Sequence, residues 1–196
     1  CVQVPQNLSE YPSVMRELRR DFFTMSRTIE DDRKTEMYRQ EQHRKDEAVR
    51  FESIEEYLAS LDLKLTLLWN TEIPVSRAAQ MTQKTNQFNL STRRYTDADI
   101  LRMLSDPVYQ LAVFSLADRY GDYGVTGMSI IRQNKDVPAS AVIDSFLMSC
   151  RVIGRNVEYV FFDEIVCVLR NRGISILQAE FLATAKNSQV DRFYDN

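Results

Sequence analysis

The sequence predicts an α/β (α+β) fold: a mixed, mostly antiparallel sheet flanked by helices, with an N-terminal helical extension. Three observations predict it. From Leu63 onward the segments alternate as β, α, α, β, β, β, α, β, α. Apolar runs on either side of Tyr120-Gly-Asp-Tyr-Gly124 read as a β-hairpin. An apolar run, Ala141–Met148, passes through a short loop into a longer apolar segment, Val157–Leu169, which closes at Arg170-Asn-Arg172-Gly173. Basic residues in the last turn and a glycine just beyond it mark the end of a helix, so this stretch reads as strand, loop, helix.

Each element follows from local pattern. Residues 1–5 read as the end of a strand. Pro12–Phe23 carries Val14, Met15, Leu18 and Phe22 near helical spacing. A second helix starts at Thr28, has Glu30, Asp31 and Asp32 in its first turn, where acids suit the dipole, and runs to about Arg50. It has few apolar positions, as an exposed or bridging helix does. Ser53-Ile-Glu-Glu56 is a capping box, and Ile54, Tyr57, Leu58 and Leu61 form one apolar face. Leu63–Trp69 is a strand and Ser76–Phe88 an amide-rich helix. Asn89–Tyr95 is a polar extended stretch, and Thr96 caps a short helix over Asp97–Leu104. Tyr109–Asp118 and Val125–Ile131 form the hairpin, and Asn134–Pro138 is a turn. Ile174–Ala183 is a last strand, and Ala185–Asn196 opens a helix.

Composition bounds the function. The 196 residues are 44% hydrophobic and 27% charged, as in ordinary globular chains, with room for one sizeable domain and an appendage. A net charge of −3 gives no bulk pull toward nucleic acid or an anionic membrane. No run has spanning length and no signal peptide is present, and Cys1, Cys150 and Cys167 are sparse and odd in number. These observations predict a cytoplasmic protein with reduced thiols. A chain that begins at Cys1 reads as a piece of something longer. His43 is the only histidine and sits among Glu, Gln, Arg and Lys, as a solvated helix residue does. That disfavours Ser/His or Cys/His catalysis and a histidine metal site, and no metal is expected. Cys167, among Val166, Val168 and Leu169, reads as core.

The loop Ser149-Cys-Arg-Val-Ile-Gly-Arg-Asn156 is the chemical focus. The free N–H groups and dipole of a following helix attract anions. Gly154 allows close backbone approach, and Arg151 and Arg155 can fork onto phosphate oxygens. The plainer alternative is a strand-to-helix turn with two solvated arginines.

The element order and two motifs resemble the GNAT acyltransferases. Arg151-Val-Ile-Gly154-Arg155-Asn156 stands where that family wraps the pyrophosphate of acetyl coenzyme A, with Asn156 replacing its last small residue. Asn187-Ser-Gln-Val190-Asp-Arg-Phe193-Tyr194 resembles the later family motif, in which Asn contacts pantetheine and Tyr protonates the leaving thiolate. The resemblance implies a GNAT-like fold whose pantetheine slot is lined by backbone near Phe146–Ser149. Longer strings resemble FkbH-like proteins: Lys84–Tyr95, Asp118–Asp122, Phe146–Glu158 and Thr184–Asn187, with Leu58–Leu61 and the charged Glu30–Tyr38 helix. In that family a haloacid-dehalogenase-type phosphatase half takes bisphosphoglycerate, and the protein loads a glyceryl group onto an acyl carrier protein for polyketide pathways. The resemblance implies that residues 1–50 are the tail of that phosphatase domain plus a helical linker, and 51–196 the GNAT-like acyltransferase domain. The phosphatase Asp-x-Asp motif is not in this chain.

Expected site residues follow. Cys150, at a helix N-terminus with potential cationic neighbours, is expected to hold the glyceryl group as a thioester; the plain alternative is a small buried hydrophobe. Asp144, Glu158 and Tyr194 are the proton-transfer candidates, and Glu158 equally a helix-capping acid. Ser149, Arg151, Gly154, Arg155, Asn156 and Asn187 are expected to bind coenzyme A or carrier-bound phosphopantetheine. Lys84, Asn86, Gln87 and Asn89 suit the hydroxyls of a small polyol acyl group. Arg93 and Arg94 suit a phosphopantetheine phosphate or an acidic carrier helix, or are a solvated pair. Expected partners are the acyl carrier protein and the phosphatase domain, with no nucleic acid and no membrane. The competing readings are a coenzyme-A-dependent acetyltransferase and a non-catalytic carrier-docking module.

Overall fold

The computed structural model describes residues 5–21 and 29–195, without the side chains of 19–35 and Thr71. The strand expected at 1–5 lies outside this range except for Pro5, as do the acidic side chains of the second helix's first turn. The chain forms two compact units, residues 1–43 and 44–196. In the first, a 3-10 turn (Leu8–Glu10), closed by the Asn7 side chain accepting from the Ser9 N–H, leads into α1 (Tyr11–Asp21). Helix α2 (Ile29–Ala48) follows.

The second unit carries the sheet. Ser53 caps α3 (Ile54–Ser60), its hydroxyl accepting from the Glu56 N–H at 3.2 Å. Tyr57 and Leu61 are buried there, whereas Ile54, expected on the same face, is 56% exposed. Strand β1 (Lys64–Trp69), α4 (Val75–Lys84), β2 (Phe88–Asn89) and α5 (Asp97–Ser105) come next. Thr96 and Asp99 close a full capping box on α5. Then follow β3 (Tyr109–Asp118), β4 (Gly121–Gln133), β5 (Ser140–Met148), α6 (Val157–Asn171) and β6 (Ile176–Ala179).

Sheet order is β1-β3-β4-β5-β2, all antiparallel, and β6 joins β5 in parallel. Period-two alternation sorts the central strands between two cores. Leu111, Val113, Met128, Ile130 and Leu147 face α4 and α5, through Ala78, Met81, Ile100 and Met103. Ala112, Phe114, Leu116, Phe146 and Met148 face α6, through Phe161, Ile165 and Leu169. The sheet is therefore the middle of three layers.

Several expected boundaries move. The Ser76–Phe88 helix stops at Lys84, and Phe88–Asn89 is a strand. The hairpin's second strand begins at Gly121, inside the expected turn. The last strand shrinks to Ile176–Ala179. The helix expected from Ala185 is instead two 3-10 turns, Ser188–Val190 and Phe193–Asp195. There the Asn187 carboxamide oxygen accepts from the Thr184 N–H (2.7 Å) and hydroxyl (2.9 Å). Cys167, expected in the core, is exposed on α6; its neighbours at the sheet-facing positions are Ile165 and Leu169.

Gly127 lets Phe114 lie across the sheet. A Cβ there would stand 1.9 Å from the Phe114 ring, which packs on Phe161 at 4.8 Å. Gly127→Ala is expected to destabilise the fold by ~1–3 kcal/mol, the usual penalty of overpacking. Urea unfolding of the variant checks this; a midpoint equal to the parent's would mean that the Phe114 ring has somewhere else to go.

Candidate active site

Strand β5 changes partner halfway along. Its first residues, Ser140–Ile143, pair with β6; its last, Leu147–Met148, pair with β2. Between them Asp144 is unpaired with β4, because Ile131 opposes Ile143 and Ile130 opposes Ser145. A bulge at this point forks the far edge of the sheet.

Beyond β5, the chain turns through a 3-10 turn (Cys150–Val152) that opens on a cavity of about 740 Å³. One wall is a single face of α4: Arg77, Gln80, Met81 and Lys84, spaced at helical intervals. The loop after α4 adds Thr85, Asn86 and Gln87. Facing these are Ser149, Cys150 and Arg151, with Ala185 and Lys186 from the C-terminal segment. Arg77, Lys84, Arg151 and Lys186 make the lining cationic, and no carboxylate contributes to it. Arg77 is pinned by its bonds to the Val125 carbonyl (3.0 Å) and the Gln80 side chain (2.6 Å). Cys150 is a free, exposed thiol in this wall, not a buried hydrophobe.

Six of the expected site residues thus meet in one cavity: Lys84, Asn86, Gln87, Ser149, Cys150 and Arg151. The others are placed elsewhere. Arg94 caps α4, donating to the carbonyls of Thr82 and Thr85 and to Asn86 Oδ1 (2.6 Å). Asn89 is fully buried, bonded to the Thr85 carbonyl and the Thr92 N–H. Asn187 is fully buried, donating to the carbonyls of Asn89 (2.9 Å) and Leu182 (3.0 Å). Arg93 pairs with Asp144 and, at 3.5 Å, with Glu180. Asp144 also accepts from the Tyr95 hydroxyl (2.6 Å), and burial beside that carboxylate pushes the phenol well above its ordinary range.

The loop itself is folded back on the protein. Arg155 donates to the Arg151 carbonyl (2.6 Å) and to the Tyr123 hydroxyl (3.0 Å), lying 5.1 Å from that ring. Tyr123 donates to Asp118, which accepts both arms of the Arg44 guanidinium at 2.7 and 2.8 Å. Asn156 sits at φ +59, a left-handed position that asparagine tolerates. Gly154 lies at φ +81, and nothing stands within 4 Å of where a Cβ would be. Tyr194 lies outside the cavity lining, packed on Phe162 and Phe193; burial raises its phenol above the usual range.

The expected pantetheine slot at Phe146–Ser149 is filled by the chain itself. The Leu90 N–H donates to the Phe146 carbonyl (3.0 Å), Phe88 pairs with Met148, and the Ser149 N–H bonds the Thr126 carbonyl (2.7 Å). Two cationic residues of the lining, Arg77 and Lys186, are not among the expected ones. Arg77 was legible: it lies three, four and seven positions before Gln80, Met81 and Lys84, on one helical face.

No family model matches the sequence, and no curated protein matches it. Solved structures do. A GNAT-family protein from Desulfovibrio desulfuricans superposes with a TM-score of 0.50 at 12% identity, over 67% of this chain and 82% of that one. The ribosomal-protein-S18-alanine N-acetyltransferase of Escherichia coli gives 0.47 at 15%, over 68% and 74%. A ribosomal-protein-alanine N-acetyltransferase from Brucella melitensis gives 0.48 at 16%, over 68% and 89%. The fold is the GNAT fold. At these identities the likeness is one of architecture, and the chemistry rests on the cavity.

Glu158, in the first turn of α6, is buried, and its Oε2 has no hydrogen-bond partner among the described residues. Burial pushes its carboxyl above the ordinary value, against a smaller opposing pull from its own backbone N–H. An acid raised in the folded state contributes most below its unfolded pKa and loses that contribution as pH rises through the folded value. Glu158→Gln is therefore expected to melt above the parent at neutral pH, with the gap closing below the ordinary carboxylate range. Melting curves across pH check this; a gap that does not change with pH would contradict it.

Proposed function

We propose that this chain is an acyltransferase that carries a small, polar acyl group on Cys150 and passes it to the phosphopantetheine thiol of an acyl carrier protein, as the C-terminal half of an FkbH-like protein. The observation that carries the reading is the exposed Cys150 thiol in a cavity with four cationic side chains and no acid. The GNAT fold, and the strings that resemble FkbH-like proteins, support the same class of reaction.

The cavity suits the chemistry. An acyl phosphate donor is anionic, and Lys84, Arg151 and Lys186 would offset its charge as the leaving group departs. Asn86 and Gln87 offer donors and acceptors to the hydroxyls of a glyceryl-type group. In the loading step the Cys150 sulfur attacks the carbonyl carbon. A C–S bond forms, the bond from carbon to phosphate oxygen breaks, phosphate leaves with the electron pair, and the thiol proton passes to solvent. In the second step the carrier thiol gives its proton to solvent and attacks the same carbon; the new C–S bond forms as the bond to the Cys150 sulfur breaks, and Cys150 departs as thiolate. Asp144 is held by Arg93 and Tyr95 and is assigned to shaping the fork, not to proton transfer.

Thiol–thioester exchange runs in both directions, so the test uses a carrier already loaded with a glyceryl thioester. Intact-protein mass spectrometry with peptide mapping is expected to find one glyceryl group on Cys150. Cys150→Ser is expected to lower carrier-to-carrier exchange by ~100-fold or more, the scale of losing a nucleophile. Full exchange in both Cys150→Ser and Cys150→Ala would remove the proposal. Carrier binding with no adduct would make the domain a docking module.

A further inference from the structure

The fork in the sheet is where an extended ligand would add itself to a free strand edge. In this chain no edge is free there. Leu90 bridges both arms of the fork: its N–H donates to the Phe146 carbonyl of β5 (3.0 Å), and its carbonyl accepts from the Leu182 N–H (2.8 Å) just past β6. The side chains lock it further. Asn187 donates to the Asn89 carbonyl, Ser91 bonds Ser145 (3.3 Å), and Arg93 reaches Asp144 on one arm and Glu180 on the other. Phe88 and Leu90 are 1% and 0% exposed, and the Phe88 ring packs on Phe193 at 5.5 Å. A segment with both its polar and its apolar groups satisfied belongs to the stable core rather than to a mobile lid.

We propose that β2, together with the backbone of Leu90 beyond it, permanently closes the fork and sets the specificity of the site. No ligand arm lies along β5, and coenzyme A is refused there. Arms reach Cys150 only through the open cavity, end-on, past Asn86 and Arg151. The closure stands by itself; its consequence for the carrier arm rests on the acyl-transfer reading.

Amide hydrogen exchange on the intact chain, with and without millimolar coenzyme A, tests this. The Leu90 and Leu182 amides are expected to exchange as slowly as those paired between β3 and β4, and neither their exchange nor the melting temperature is expected to change with coenzyme A. Faster exchange at Leu90 and Leu182 than in the central strands would overturn the closure. So would their deprotection by coenzyme A together with a rise in melting temperature. The two proposals fail separately. Protected amides with no adduct on Cys150 leave the closure and remove the acyl transfer; deprotection with an adduct does the reverse.

Discussion

The outer edge of β5 is the constraint on which the rest of the second unit depends. A strand's N–H and C=O groups must be paired, and a bulge makes a single straight partner impossible. The bulge at Asp144 lets β6 serve only Ser140–Ile143. The remaining edge needs a second partner, and the loop after α4 supplies it. That demand explains why α4 ends at Lys84 although the amides beyond it tolerate helix. Arg94 takes over the last carbonyls of the helix, and the chain is released to run as Phe88–Leu90. Burying Phe88 and Leu90 contributes roughly 1.5–3 kcal/mol each. Each satisfied hydrogen bond adds about 1 kcal/mol. Against a typical total of about 5–15 kcal/mol, opening the fork is comparable to unfolding the domain.

Asn187 is the hinge pin of this arrangement. Its amide donates to Asn89 and Leu182 while its oxygen holds Thr184, so one buried side chain fastens the inserted strand to the C-terminal segment. Val190 and Phe193 then turn inward and complete the aromatic cluster of Phe88, Phe146 and Phe161. An asparagine read as a ligand contact is in fact a staple, and the packing around it accounts for every atom it offers.

What the sequence made legible follows the strength of its periodicity. Strands β3, β4 and β5 and helix α6 carry long apolar patterns, and they stand within a few residues of where those patterns placed them. Strand β2 has two residues and therefore no period, so Lys84, Asn86, Gln87, Asn89, Arg93 and Arg94 all read as ligand contacts. The amides do bind, but Asn89 binds backbone while Asn86 and Gln87 line the cavity. Side chains of one type divide between structure and site according to which way each turns, and spacing cannot decide that in a non-periodic loop. Cys150 shows the converse: its identity and its loop were readable, but its place in a cavity depends on α4 lying opposite, which no local pattern encodes. Cys167 was misplaced because neighbouring β-branched residues masked the helical face on which it sits.

The two loop arginines divide the work through a buried network. Asp118 accepts from Arg44 twice, from Tyr123, and from the N–H groups of Tyr120 and Gly121, so a carboxylate with no exposure is fully paired. Such a pair adds little net stability but penalises any arrangement that breaks it. Tyr123, fixed between Arg44 (4.2 Å) and Arg155 (5.1 Å), holds Arg155 against the Arg151 carbonyl. Arg155 is thereby taken away from solvent anions and used to set the loop's shape. Arg151 is left as the loop's cation at the cavity, next to Cys150. A loop held this way is preorganised: the position of the thiol and of its neighbouring charge is paid for during folding and not by the substrate. The network ends at Arg44, the first residue of the second unit, whose guanidinium is held by Asp118.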